Sequence, residues 1–179
     1  MAIIPNPPTP QDPSSDVAIF NGIVQSTRTG VAGLLASLTA ATTFASTSIQ
    51  PVLSYTLPGY LAGSGGGGLA PGALLRFKLW GSNGGSVSTN TITISFGGTT
   101  MALAVTATSG LWWAEAHVLN LTTATQALEI HGAAGATAIA PTQTTATINT
   151  ATPTLVTVSS TNSVASMLTT LGATVEIVQ

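Results

Sequence analysis

The sequence predicts an all-β fold, an antiparallel β-sandwich preceded by an extended arm. After residue 50, short segments in which apolar and polar residues alternate recur about every ten residues, and Gly, Asn and Pro separate them. The linkers between these segments vary in length, which suits Greek-key crossovers better than a plain meander. We therefore expect a jelly-roll-like sandwich over residues 50–179.

The N-terminal segment, residues 1–16, contains half of the chain's ten prolines. Each proline fixes its own φ angle and pushes the preceding residue towards an extended conformation, so this segment is predicted to be an open, polyproline-like arm. The alternative is a disordered tail, which is common at chain termini. The residues expected to contact a partner are Ile3, Ile4, Pro5, Pro7, Pro8 and Pro10.

Residues 17–49 form a connecting segment that the pattern leaves ambiguous. The spacing of Leu34, Leu35 and Leu38 within residues 31–43 is compatible with a helix. Two glycines flank the start of that stretch and threonines follow it, and β-branched residues favour strands. We expect one or two strands, with a short helix as the alternative.

The first strands of the sandwich are predicted at residues 52–57, which end at Pro58-Gly59, and at residues 73–80. Strict alternation in the second segment separates an apolar face from a mixed one. The apolar face consists of Leu75, Phe77 and Leu79, and the mixed face of Leu74, Arg76, Lys78 and Trp80.

A hairpin is predicted next, with strands at residues 91–96 and 99–105 joined by a tight turn at Gly97-Gly98. The side chains expected to point inwards are Ile92, Ile94, Phe96, Met101, Leu103 and Val105. Further strands are predicted at residues 111–120, 127–132, 142–150, 154–160 and 173–178.

Only 4% of the residues are charged, far below the usual quarter. Three cations, Arg28, Arg76 and Lys78, are too few for the basic stripe that nucleic acid requires or for an electrostatic membrane patch. The chain also contains no run of 18 or more apolar residues that could span a membrane. From the few cations and the missing apolar run together, we expect neither a nucleic-acid nor a membrane partner. A net charge of −2 gives weak repulsion between copies, which favours a surface covered by neighbours.

Catalytic and metal sites find little support in the sequence. Cysteine is absent, and His117 and His131 are the two histidines. Glu115 lies two residues from His117 on the same strand face and could form a polar pair with it, but a metal site needs three or four converging ligands, so surface or interface histidines are the simpler interpretation. Glu115 and Glu129 could form a glycosidase pair, although solvent-facing strand positions explain them more simply. We therefore expect no enzyme, no cofactor and no metal.

Adjacent aromatic and cationic residues are the candidates for partner contact within the domain. Trp112 and Trp113 must face opposite sides of a strand, so one is expected in the core and the other towards a subunit, with core or sheet packing and glycan binding as the alternatives. Arg76 and Lys78 are interpreted as charges that protect an edge strand, or as contacts to an acidic neighbour.

Several runs carry a family resemblance: YTLPG at residues 55–59, LAPGALLRFKLWG at 69–81, NTITISFGGTT at 90–100, GLWWAEA at 110–116, and the ending STNS at 160–163 with LGATVEIV at 171–178. They resemble the strands and turns of structural proteins in tailed-bacteriophage virions, which include capsid decoration (cement) proteins, head fibres and tail modules. The resemblance covers roughly residues 50–179. The glycine loop at residues 64–68 and residues 1–49 have no counterpart in it.

The resemblance implies a virion jelly roll on the outer capsid surface. Its expected partners are the major capsid protein, whose subunits it would bridge, and copies of itself in a homotrimer. The alternative that it implies is a tail fibre, spike or baseplate module that binds a host receptor or glycan.

Overall fold

All regular structure in the described part of the chain is β-strand. The computed structural model describes residues 18–20, 23–25, 33–38, 40–43, 47–60, 68–84, 88–107, 110–164 and 168–178. The thirteen strands in these ranges are β1 (Ala18–Phe20), β2 (Ile23–Gln25), β3 (Gly33–Ser37), β4 (Thr42–Thr43), β5 (Gln50–Leu57), β6 (Leu74–Asn83), β7 (Ser88–Phe96), β8 (Thr99–Ala107), β9 (Gly110–Thr122), β10 (Thr125–Ala134), β11 (Thr137–Ala146), β12 (Thr154–Asn162) and β13 (Leu168–Val178). The all-β prediction is confirmed.

The strands form two antiparallel sheets that pack face to face. The large sheet has the order β11-β10-β9-β6-β13-β3, and β4 also pairs with β13. The small sheet has the order β5-β12-β7-β8, and β1 and β2 form a separate pair. The ranges described contain no helix long and apolar enough to cross a membrane.

The pairing of the strands is that of a jelly roll. Eight strands, taken in chain order as β3, β5, β6, β7, β8, β9, β12 and β13, pair first with last and so on inwards: β3 with β13, β5 with β12, β6 with β9, and β7 with β8. This long folded hairpin closes into two sheets where β13 pairs with β6 and β12 with β7. Two interlocked Greek keys result, as in jelly rolls. The hairpin β10–β11 extends the large sheet beyond β9.

The sandwich begins before residue 50, because β3 and β4 come from the connecting segment. Of the two structures left open for residues 31–43, the strand is correct. Ala36 pairs with Val175 of β13, and the side chains of Leu35 and Ala36 are buried. A strand here supplies backbone partners to β13, which would otherwise be a long unpaired edge. The arm, residues 1–16, lies outside the described residues.

The core lies between the sheets and contains the side chains that the alternation assigned to it. Leu75, Phe77 and Leu79 of β6 are buried, as are the six predicted inward residues of β7 and β8. Each large apolar side chain contributes about 1.5–3 kcal/mol when it is fully buried. Gly97 and Gly98 adopt φ angles of 56° and 93°, which fits a hairpin turn that requires two left-handed residues.

A buried amide pair holds one end of the sandwich together. The Nδ2 group of Asn120 donates to the carbonyl oxygen of Leu69 at 2.7 Å, and Nε2 of Gln126 donates to Oδ1 of Asn120 at 3.0 Å. Gln126 also exchanges two hydrogen bonds with the backbone of Ile148. These contacts tie the loop after β11 and the residues before β6 to the β9–β10 hairpin. A buried, hydrogen-bonded amide of this kind leaves no pattern in the sequence.

Candidate interaction face on the large sheet

The outer face of the large sheet gathers the charged side chains of the described part of the chain. It carries all five charged residues described, together with both histidines. They occupy alternate, outward positions on four neighbouring strands. These residues are Arg76 and Lys78 on β6, Glu115 and His117 on β9, Glu129 and His131 on β10, and Glu176 on β13.

Strand register arranges these side chains in two rows that cross the sheet. The first row runs Glu176, Arg76, His117, Glu129. The second row, two residues along the strands, runs Thr174, Lys78, Glu115, His131. Directly opposed side chains in antiparallel strands lie within contact distance, so charges of opposite sign or hydrogen-bonding groups meet at most steps.

The two cations of β6 share one carboxylate. Arg76 donates from Nε to Oε1 of Glu176 at 2.9 Å and places Nη2 2.8 Å from the same oxygen, while Nζ of Lys78 lies 3.6 Å away. The interpretation of β6 as an edge strand is wrong, because it lies between β9 and β13. Outward charges on an interior strand protect no edge. They are tolerated because this face of the sheet is open to solvent. About a quarter of each side chain in the Arg76–Glu176 pair is exposed, so the pair stabilises the fold by at most about 1 kcal/mol.

Two Glu-x-His motifs face each other across the β9–β10 hairpin. The Nε2 atom of His117 lies 3.0 Å from Oε1 of Glu115, so the polar pair that the sequence allowed is present. On β10, Nδ1 of His131 lies 3.6 Å from Oε1 of Glu129. The two imidazole rings are 5.8 Å apart. Each histidine is thus adjacent to the glutamate of its own strand, and among the described residues no three His, Asp or Glu side chains are grouped to hold a metal ion.

Two exposed tryptophans border the charged rows. Trp80 and Trp113 lie opposite each other in the β6–β9 register, and 45% of each residue is exposed. The indole of Trp80 lies over Gly172, where it leaves no room for a Cβ atom. The ring of Trp113 meets His131 edge to face at 5.8 Å. Leu111, which is even more exposed, continues the apolar surface along β9.

The neighbouring tryptophan, Trp112, points the opposite way into the core. It is almost fully buried, and its Nε1 group donates to the carbonyl oxygen of Ser82 at 3.3 Å. The prediction that one of the adjacent tryptophans is buried and the other faces outwards is confirmed. That the outward residue contacts a subunit stays a prediction.

A shallow, mainly apolar depression of about 550 Å³ borders the charged rows on the side away from the tryptophans. Leu74 and Leu119, which face each other across β6 and β9, form part of its floor with Ala127 of β10. His117 and Glu129 form its charged margin. Along the strands, the outer face therefore carries tryptophans first, then charged residues, and then leucines.

The outer face of the small sheet has a different composition. Pro51 and Leu155 are exposed apolar exceptions on this face, but its other outward side chains among the residues described are hydroxyls and methyls. They are Ser54, Thr56, Thr91, Thr93, Ser95, Thr100, Ala102, Ala104, Thr106, Thr157, Ser159 and Thr161.

The structure brings four of the predicted contact residues onto one sheet: Arg76, Lys78 and Trp113 on its outer face, and Trp112 beneath it. The residues predicted to contact a partner from the arm, Ile3, Ile4, Pro5, Pro7, Pro8 and Pro10, lie outside the described residues. Trp80, Leu111, Glu129 and His131 belong to the same face although the sequence did not single them out as contacts. The spacing of the two Glu-x-His motifs around the turn after β9 was the signal that could have placed them together.

Comparisons with known proteins identify no relative in sequence. No family model matches the chain, and no curated protein matches it. A search of solved structures finds a chain in the structure of infectious bursal disease virus, Gx strain, with 14% identity and a TM-score of 0.30. The match covers 90% of this chain and 45% of the viral chain. This chain therefore spans less than half of that one, and a TM-score so low carries no argument about fold or function.

Proposed function

We propose that this chain is a non-enzymatic structural protein of a bacteriophage particle, a decoration protein that binds the outer capsid surface and bridges major capsid subunits. The observation that supports the proposal is the one-sided surface. On a jelly roll with few charges, all the charged side chains described lie on one face beside two exposed tryptophans.

A face of this composition suits a docking surface. Exposed tryptophan and arginine are the residues that most often dominate binding energy at protein interfaces. Charged groups around them fix the orientation of the partner and raise the association rate more than they raise affinity. The tryptophans would anchor a contact with a neighbouring subunit of the assembly, and the rows of charge would set the register of docking.

The proline-rich arm fits the same role. About 16 residues in a polyproline conformation span roughly 50 Å, at about 3.1 Å per residue. Tethering the arm to a docked domain makes its binding intramolecular, so weak contacts add up to strong attachment. We propose that the domain docks as a homotrimer over a junction of capsid subunits while the arms reach neighbouring subunits.

The copy number per particle tests the proposal. Quantitative mass spectrometry of purified virions would compare this chain with the major capsid protein. We expect a ratio close to one, which means hundreds of copies. A ratio corresponding to six or a few dozen copies would place the chain in the tail instead, and absence from virions would overturn a role in the particle.

Deletion of residues 2–13 tests the arm separately. We expect the shortened chain to keep its unfolding midpoint, because the sandwich starts at β3, and to lose occupancy on particles. Occupancy equal to that of the full chain would contradict the bridging role of the arm.

A second candidate function, receptor or glycan binding by a tail fibre or spike, is favoured by one observation. Trp80 and Trp113 lie side by side with exposed rings, an arrangement suited to stacking on a sugar. In this case Trp113→Ala would abolish adsorption to the host and leave incorporation into virions intact. The decoration function predicts the reverse.

A further inference from the structure

The exposed apolar surface at one end of the large sheet consists of Trp80, Leu111 and Trp113, here called the tryptophan patch. The exposed fraction of Leu111 is 69% and that of each tryptophan is 45%. The row across the sheet at this level continues through Gly172 and Ala133 and contains no charged side chain. Exposed apolar patches on an otherwise polar surface mark interaction sites.

The patch is held in place before any partner binds. The ring of Trp80 rests on the backbone at Gly172, and the ring of Trp113 is supported by the edge-to-face contact with His131. Both tryptophans stand on strands in the interior of the sheet. Side chains that are already ordered lose little conformational entropy on binding, which favours affinity.

The sequence of the arm fits such a patch. Residues 5–13, PNPPTPQDP, contain three overlapping Pro-x-x-Pro motifs, at Pro5 and Pro8, Pro7 and Pro10, and Pro10 and Pro13. Pro-x-x-Pro segments bind aromatic-lined grooves through the ridges of a polyproline helix, whose stiffness lowers the entropy cost of docking.

Charge is also compatible with this docking. No side chain in residues 2–11 is charged, which matches the uncharged row at the tryptophans. The first acidic residue of the arm, Asp12, falls between Pro10 and Pro13. Lys78 stands two residues from Trp80 on the same face and is the more exposed partner in its ion pair with Glu176. It offers Asp12 a charge of opposite sign.

The length of the arm permits docking on a neighbouring copy as well as on its own, and the net charge of −2 gives only weak repulsion between copies. Gly33 and Trp80 lie two strands apart and are offset by five residues along them, or about 10 Å by 17 Å at standard strand spacings. Sixteen residues in a polyproline conformation would span about 50 Å, which is enough for either contact. We propose that the proline-rich arm of one copy docks on the tryptophan patch of another copy.

This self-association deepens the proposed function by naming the receptor of the arm, but it needs no particle for its test. Sedimentation velocity over a range of concentrations would compare the full chain with Trp113→Ala and with the triple variant Pro7→Ala, Pro8→Ala, Pro10→Ala. We expect both variants to associate at least roughly tenfold more weakly than the unchanged chain. Leu155→Ala, on the opposite face, is the matched control and should associate normally.

Mixing the two defective variants separates docking between copies from docking within one copy. The Trp113 variant keeps an intact arm and the proline variant keeps an intact patch, so an equimolar mixture should recover one arm-to-patch contact and form heterodimers. A mixture that stays monomeric would overturn docking between copies. An unchanged chain that stays monomeric at all concentrations, or variants that associate as well as it does, would overturn the proposal.

Unfolding midpoints distinguish variants that fail to fold from variants that fail to associate. Leu111→Ser provides a second way to weaken the patch, because Leu111 is mostly exposed. Its loss of association with an unchanged midpoint is the expected result, and full association would count against the patch. A negative outcome here leaves the copy number on virions as an independent test of the proposed function.

Discussion

The two outer faces of the sandwich are built from the same kind of strand, yet they carry different side chains. On the small sheet the outward positions hold threonine, serine and alanine, and on the large sheet they hold charges, histidines and tryptophans. The inward positions of both sheets are apolar. Because the core constrains only the inward positions, the outer faces are free to differ, and the proposed docking would use that freedom.

On both faces, the outward side chains contribute less to folding than the side chains of the core do. Threonine suits an exposed strand position through its β-branched side chain, without any charge. On the large sheet, Glu176 neutralises much of the charge of Arg76 and Lys78, and partly exposed ion pairs contribute little stability. The concentration of charge on one face therefore contributes little to stability, which is compatible with the proposed docking.

The largest expected effect contrasts the two sides of one strand. Trp112→Ala should lower the free energy of unfolding by about 3–5 kcal/mol because it removes a buried aromatic side chain from the core. Trp113→Ala removes a half-exposed ring and should cost less than about 1.5 kcal/mol. Urea denaturation measures both values, and equal losses would mean that Trp113 is part of the core.

Two glycines of the large sheet extend the contrast between its inner and outer sides. A Cβ atom at Gly81 would collide with the carbonyl oxygen of Thr169 and with the ring of Trp112. Gly81→Ala should therefore cost about 1–3 kcal/mol through backbone shifts. At Gly172 the collision is with the outer end of the Trp80 ring, which can swing into solvent. Gly172→Ala should cost less, and a red shift of Trp80 fluorescence should accompany it.

The charged rows should contribute a smaller, salt-dependent amount. Glu176→Gln leaves Arg76 and Lys78 without their carboxylate and should cost at most about 1 kcal/mol at low ionic strength, and less at high salt. Glu129→Gln is the matched control, because its contacts are to His131 and Gln143 and to neither cation. Denaturation midpoints at two salt concentrations measure the difference. A loss independent of salt would contradict the electrostatic origin.

The smallest effect concerns a residue on the inner side of the small sheet. Burial raises the pKa of Tyr55 above its ordinary value of 10.0, because the charged phenolate is poorly solvated there. In the unfolded chain the phenol ionises first, so its contribution to stability is complete below pH 10 and is lost as pH rises through the folded pKa. Midpoints at pH 9 and pH 11 should fall less for Tyr55→Phe than for the unchanged chain. An identical fall would exclude Tyr55 as the cause.

The sequence predicted which side chains point inwards far better than it predicted where each strand lies. Alternation alone placed Phe77 and Phe96 in the core, and two glycines placed the β7–β8 turn. The pairing of β3 with β13 joins residues more than a hundred positions apart, and no local pattern specifies such a contact. A short stretch of leucines next to threonines was compatible with a helix until that partner strand was known.

The position of the charges on the sheet illustrates the same limit. Arg76 and Lys78 alternate with core residues whether β6 is at an edge or in the interior, so the sequence could not distinguish the two cases. Likewise, each Glu-x-His motif is visible alone, but their meeting depends on the register of the β9–β10 hairpin. Gathering the charges on one face is a property of the strand order, which is specified by long-range contacts.

Hydroxyl-radical footprinting of the chain in purified particles and in its free form, diluted until it is monomeric, tests most directly whether the large sheet provides the docking face. Oxidation would be quantified residue by residue by mass spectrometry. Docking by the large sheet predicts strong protection of Trp80 and Trp113 in the particle and unchanged oxidation of Leu155 on the small sheet. Protection of Leu155 with both tryptophans still exposed would contradict it and would assign docking to the uncharged face.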